Sequence, residues 1–203
     1  MKKLLYAAAA VAAACVFAAG GLGRSIKNDR RFTVSALGFE KCGNQIGVTV
    51  EAIIINSESV EEKPRSAVFF AEDTTIDGAL EKISAKLSRP MLFEHCGIIA
   101  VGDAMTDELF YEICEYCIYE NRITVSAYII STDSPKELLS GEPQASLAVG
   151  YDIMGIIARQ AADGTFKSRS RCFEAVRSMA CGNKPMLPRF IRGEDDAEYV
   201  CHT

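Results

Sequence analysis

Eight cysteines carry most of the reactive chemistry in this sequence: Cys15, Cys42, Cys96, Cys114, Cys117, Cys172, Cys181 and Cys201. A thiolate can attack, bind metal or be oxidised, and which it does depends on what lowers its pKa. The tightest spacing is Cys114-x-x-Cys117. Redox pairs of this form place a thiol at a helix N-terminus. This pair instead falls inside a long helical pattern, roughly two turns along it. A zinc site would need a second ligand pair at suitable spacing, and the sequence puts none near. Cys96 opens the apolar run Cys-Gly-Ile-Ile-Ala-Val, where a free thiol packs as a small hydrophobe. An even count in an exported chain would suggest disulfides. With Cys15 set aside the count is odd, and the remaining positions read as structural. A thiol-dependent redox enzyme built on Cys114 and Cys117 is the alternative function that this sequence leaves open.

Other reactive groups are sparse. His95 and His202 are the only histidines, which leaves little for histidine catalysis or metal binding. His95 stands at the mouth of an expected buried strand, where an imidazole commonly orders a loop through a backbone carbonyl or a carboxylate. Glu61, Glu62, Asp195 and Asp196 lie in charge runs that read as solvated. Acid–base catalysis needs two carboxylates close together and buried, and spacing brings no two together. There is no Gly-x-Ser-x-Gly, no Gly-rich phosphate loop and no His-Glu-x-x-His. Gly20-Gly21-Leu22-Gly23 follows an apolar segment, not a strand. The expectation is a non-enzymatic chain with no catalytic set, no cofactor and no metal ligands. The 22 basic and 27 acidic residues give a net charge of −5; no basic surplus exists to neutralise phosphates, which argues against nucleic acid as a partner.

The elements that must position these residues follow an N-terminal segment of another kind. Met1-Lys2-Lys3 is positive, and Leu4 to Gly23 carries no charge and is rich in Ala, at nine of its 20 residues. This is the pattern of an export signal, long enough to span the roughly 30 Å of a bilayer core as a helix. Lys2 and Lys3 stay inside by the positive-inside rule, so the chain after Arg24 is expected to face outward. Cleavage, retention as an anchor, or lipidation at Cys15 are the three outcomes. Ala12-Ala13-Ala14-Cys15 is similar to a bacterial lipobox, with Ala12 where Leu is preferred. The acidic body is repelled by anionic head groups, so the segment, and not surface charge, must hold the protein at a membrane.

Residues 24–192 read as one α+β domain, a central mixed sheet of about five strands packed with several helices. Phe32–Glu40 and Ile46–Ile55 form a hairpin through the turn Lys41-Cys42-Gly43-Asn44. Asn56–Arg65 is a polar loop, and Ser66–Ala71 returns to strand. Thr74-Thr75-Ile76-Asp77 resembles a capping box ahead of a helix over about 75–88. A strand over His95–Val101 is apolar on both faces and so central. A helix containing Leu109, Phe110, Ile113, Cys114, Cys117 and Ile118 follows, then a strand over Thr124–Ser131. Ser134-Pro135-Lys136-Glu137 starts a short helix, and 146–160 and 170–181 read as two more. Pro185–Ile191 reads as an edge strand, and the acidic tail 193–203 is expected to fray.

Four stretches, in this order, resemble the N-terminal domain of the C subunit of spore germinant receptors, the GerAC-like or Ger(x)C lipoprotein family. They are Asn28-Asp29-Arg30-Arg31 leading into Val34–Phe39; Phe70-Ala71-Glu72-Asp73-Thr74-Thr75-Ile76-Asp77-Gly78-Ala79-Leu80; Pro90–Asp103, with Phe93-Glu94-His95 before the apolar strand and Gly102-Asp103 after it; and Lys184-Pro185-Met186-Leu187-Pro188-Arg189-Phe190-Ile191. The sequence departs from the family in lacking Gly-Cys-Trp at the mature N-terminus. Cys15 also lies 14 residues ahead of Asp29. The sequence stops short of the family's further C-terminal domains. The resemblance implies a membrane-tethered extracytoplasmic subunit that works in spore germination by protein–protein contact, with membrane proteins of a germinant receptor as partners. It implies the spore inner membrane as location. The loop 56–65 and the acidic tail are the candidate contact regions, and Arg30-Arg31 reads as a basic pair beside the membrane.

Overall fold

The hairpin forms where its residues dictate. Phe32–Cys42 (β1) and Gln45–Ile54 (β2) pair antiparallel, from Thr33 opposite Ile53 to Cys42 opposite Gln45. Gly43 turns the chain at φ 61°, a left-handed conformation that a residue without Cβ adopts at no steric cost. The protein is described by a computed structural model, which covers residues 32–54, 65–119, 123, 125–164 and 170–192 in full and 199–202 as backbone. Cys15, Arg30, Arg31, Glu61, Glu62, Asp195 and Asp196 therefore lie outside the described residues, as do the export segment and most of the polar loop 56–65.

Arg65–Asp73 (β3) adds to the free edge of β2, antiparallel. Helix α1, Ile76–Ser84, starts one residue later than expected: Thr75, not Thr74, is the cap, its Oγ1 accepting from the Gly78 N–H. Thr74 instead donates its backbone N–H to Asp73 Oδ1 at 2.6 Å. Asp73 also meets Lys82 at 2.8 Å, so one carboxylate ties the end of β3 to α1. Those hydrogen bonds, with the Lys82 contact first, hold the Asp73 carboxyl down to about 2.

On its other side β1 receives two parallel pieces of one interrupted strand, Met91–Leu92 (β4) and Ile98–Gly102 (β5). The expected strand from His95 thus begins at Ile98. The Cys96 N–H closes a turn onto the Phe93 carbonyl at 2.9 Å, and pairing resumes when the Gly97 N–H reaches the Ser35 carbonyl. His95 is exposed in that turn. Helix α2, Asp107–Tyr119, crosses to Tyr128–Thr132 (β6), which is parallel to β5. Helix α3, Pro135–Leu139, has Ser134 as cap and Pro135 at its first position, as expected from sequence. Helices α4, Val149–Ala162, and α5, Cys172–Ala180, follow.

Arg189–Arg192 (β7) was expected at an edge, and it is not there. It pairs parallel with β6 on one side and antiparallel with Tyr199–His202 (β8) on the other, so part of the tail expected to fray forms a strand. The two prolines lie before β7, where they remove no ladder hydrogen bond. Among the described residues the sheet has eight strands, in the order β3-β2-β1-β5-β6-β7-β8 with β4 beside β1. This exceeds the expected five or so: six of the strands were legible one by one in the sequence, and β4 and β8, of two and four residues, are too short to show a period. It is a mixed sheet in a single α+β domain.

Helices cover both faces. Side chains of α1, α2 and α5 pack on Leu37, Phe39, Val48, Val50, Ile99 and Ile129. Those of α3 and α4 pack on Ala36, Ile98, Ala100, Ile130 and Phe190. That double cover explains why β5 is buried at every position. No helix among the described residues is long and apolar enough to cross a membrane.

Candidate functional site

The thiols converge under α2 and α5. Cys114 and Cys117 lie on the buried side of α2, and Cys172 is the first residue of α5. Three features fix Cys172 there. Its N–H donates to the Ala127 carbonyl at 2.8 Å. The Arg171 N–H donates to Glu174 Oε2 at 3.2 Å, and the Arg171 guanidinium donates to the Ser126 carbonyl at 2.7 Å. The sequence pointed to Cys114 with Cys117. The structure adds Cys172 to them, in one buried cluster with Cys114, Cys117 and Cys96. The neighbouring Cys114 holds the Cys172 thiol down, while Cys172 and burial push Cys114 up. Burial first, with neighbouring acidic and thiol groups after it, pushes Cys117 well up and Cys96 up to about 12. Raised above the ordinary thiol value, Cys96, Cys114 and Cys117 are protonated at neutral pH, a state that does not attack. Among the described residues no group of three or more His, Cys, Asp or Glu side chains is placed to hold a metal ion.

A second buried group went unrecognised in the sequence. In β2, Thr49 and Glu51 alternate with Val48 and Val50 and look like a solvent face, yet both are fully buried because α3 and α4 cover that side. Helix α4 begins at Ala148, whose side chain cannot cap. Glu51 supplies the cap from the sheet. Its carboxylate accepts the Val149 N–H at 2.6 Å and the Gly150 N–H at 2.9 Å, and Ser35 Oγ donates to it at 2.7 Å. The first-turn N–H groups of a helix lack intrahelical acceptors and favour a negative charge. A bulge in β1 between Val34 and Ala36 brings Ser35 to this place. Gly150 permits the approach, since a Cβ there would meet Ala36 Cβ at 2.8 Å and Glu51 Oε2 at 3.1 Å. Burial raises the Glu51 carboxyl above its usual value, and the Ser35, Gly150 and Val149 donors pull the other way.

The third feature is a cleft of about 560 Å³ at the carboxyl ends of β5 and β6, closed on one side by α2 and on another by the segment after α5. Crevices outside the carboxyl ends of strands are where open sheets commonly hold ligands, and the volume is ligand-sized. Its charges pair at the rim: Arg189 meets Asp103 at 2.8 Å and also Asp133, and Lys184 meets exposed Asp107 at 3.2 Å. Met105, Phe110, Met179 and Leu187 line the interior, and the lining includes no cysteine and no histidine. This geometry can seat an amphipathic surface.

Residues 26–191 match the family model described as the spore germination protein N-terminal domain. The chain belongs to that family. Neither a curated protein nor a solved structure matches it. Within this spore germination domain, the stretch Phe70–Leu80 is the end of β3, the Asp73 turn and the start of α1. Pro90–Asp103 is the interrupted strand β4–β5. Lys184–Ile191 runs along the cleft into β7. The resembling stretches that are described thus build the sheet and its rims. None of them includes Cys114, Cys117 or Cys172.

Proposed function

We propose that the chain is a non-enzymatic, membrane-tethered extracytoplasmic subunit, the counterpart of the C component of a nutrient germinant receptor. It acts in spore germination by contact with integral membrane proteins of that receptor. The observation that carries this reading is the family match over residues 26–191, which takes in almost all of the described body. Two features support it. The charge-free segment Leu4–Gly23 behind Lys2-Lys3 provides for export and tethering. The buried, protonated thiols of α2 argue against the redox-enzyme alternative. The tether is either the apolar segment itself or a lipid on Cys15, and it places the body on the outer face of the cell membrane, the spore inner membrane.

The test is purification of the tagged chain from detergent-solubilised spore membranes of the native host. The expected result is co-purification with the integral membrane subunits of a germinant receptor, lost when residues 1–23 are replaced by a cleavable soluble export signal. Recovery of the chain alone, from the soluble fraction, overturns the reading.

A further inference from the structure

One edge of the sheet carries backbone groups that the ladder leaves over. The two-residue turn at Gly43-Asn44 makes Cys42 and Gln45 a hydrogen-bonded pair. Alternation from there gives the odd residues of β2 to β1 and its even residues to β3. Arg65, Ala67, Phe69, Ala71 and Asp73 therefore make the β2 ladder. The N–H and C=O groups of Ser66, Val68, Phe70 and Glu72 point the other way. Strand β3 ends the sheet order, and among the described residues no strand pairs with its outer side. What meets that side is α1 and the turn after it. Lys82 Nζ donates to the Glu72 carbonyl at 2.6 Å and Lys86 Nζ to the Phe70 carbonyl at 3.4 Å. Lysines on an edge strand are a common guard against pairing with another chain. This guard covers only the carboxyl half of β3.

We propose that the outer edge of β3 docks a second copy of this chain, paired antiparallel about Phe69, and that Lys82 and Lys86 hold the edge shut until that copy displaces them. A two-fold pair of strands is symmetric about one point, and two independent features of β3 select the same point. Centred on Phe69, Ser66 faces Glu72 and Val68 faces Phe70, so each outward N–H and C=O finds its partner in the other copy. The same register sets Arg65, which opens the strand, opposite Asp73, which closes it. Opposite charges then meet at both ends of the new ladder. Between them lie Val68, Phe69 and Phe70, each only half-buried in a single copy. Sliding the register toward the start of the strand sets Arg65 against Ala71 and takes Glu72 away from Ser66. In a single copy Lys82 meets Asp73 at 2.8 Å; in the pair the second copy's Arg65 takes that place. Nothing in this proposal depends on the receptor reading above.

The test follows self-association of the full chain in detergent by analytical ultracentrifugation over a range of concentrations. Lys86→Ala removes one guard and leaves Asp73 and Lys82 in place. Each dimer is spared the loss of two Lys86 contacts, so its dissociation constant is expected to fall roughly tenfold. Lys86→Arg keeps the guard and stays close to the parent. Arg65→Glu sets like charges opposite one another at both ends and is expected to lose the dimer. Both positions are exposed, so these variants keep the fold. The register is read in Arg65→Lys, mixed from isotopically heavy and light chains and treated with a carbodiimide. The expected product joins position 65 of one copy to Asp73 of the other. Three results overturn the proposal: monomer at every concentration in both the parent and Lys86→Ala; association that no substitution changes, as pairing through the apolar N-terminal segment would be; or heavy–light links that never join position 65 to Asp73.

Discussion

Glu51 offers the sharpest test of how this fold is held. Its carboxylate accepts from two backbone N–H groups and one hydroxyl, all buried. In Glu51→Ala the Val149 and Gly150 donors and Ser35 Oγ lose their acceptor in a site that water does not reach. Each buried donor left unmade costs about 1–3 kcal/mol. Relief from burying a carboxyl offsets part of the sum, which leaves a net loss of about 3–5 kcal/mol, the size seen when one partner of a buried charge network is removed. Against a usual total of about 5–15 kcal/mol, that loss shows directly in urea unfolding of the full chain followed by circular dichroism. Glu51→Gln keeps one acceptor but turns an amide N–H₂ toward the helix N–H groups, so it also destabilises, by less. A Glu51→Ala variant within about 0.5 kcal/mol of the parent would refute the capping argument. The pH dependence follows with its own sign. The folded carboxyl titrates above the ordinary 4.5, so between that value and the raised one the folded state holds more protons than the unfolded. This group's contribution to stability therefore falls as pH rises through that window, and Glu51→Gln flattens the fall.

Three further outcomes are expected. Gly150→Ala, which drives a Cβ to 2.8 Å from Ala36 Cβ and 3.1 Å from Glu51 Oε2, loses about 1–3 kcal/mol by overpacking; an unchanged urea midpoint counts against the close approach. The Asp73 carboxyl titrates at about 2 in the folded chain, observable by carbon NMR. Titration at the ordinary 3.8 would contradict its ties to Thr74 and Lys82. In the fully reduced, folded chain, thiol reagents modify exposed Cys181 at once, while Cys96, Cys114, Cys117 and Cys172 react only on unfolding; rapid labelling of Cys117 would revive the redox-enzyme alternative.

The sequence shows most clearly what is set by neighbours along the chain. The first hairpin could be read from alternation and Cys42-Gly43-Asn44, and α3 from Ser134 and Pro135, because turn and cap chemistry act over a few residues. The position of Cys114-x-x-Cys117 inside a helix, and not at its start, was equally readable. Contacts between distant segments were not. The alternation of β2 put Thr49 and Glu51 on one face, but only α3 and α4, far along the chain, make that face dry. Cys172 reads as one helix residue among others, and only packing sets it in the same buried cluster as Cys114. β8 is too short to show a period, and β7 supplies the pairing that makes it a strand; the same pairing moves β7 off the edge.

The role in spore germination is most directly tested by the rate at which spores respond to nutrient. Spores of the native host that lack this chain are predicted to lose the response to the nutrient sensed by its receptor and to regain it when the full chain is supplied in trans. Unchanged germination of the deletion strain, on every nutrient that triggers the parent, would contradict the account.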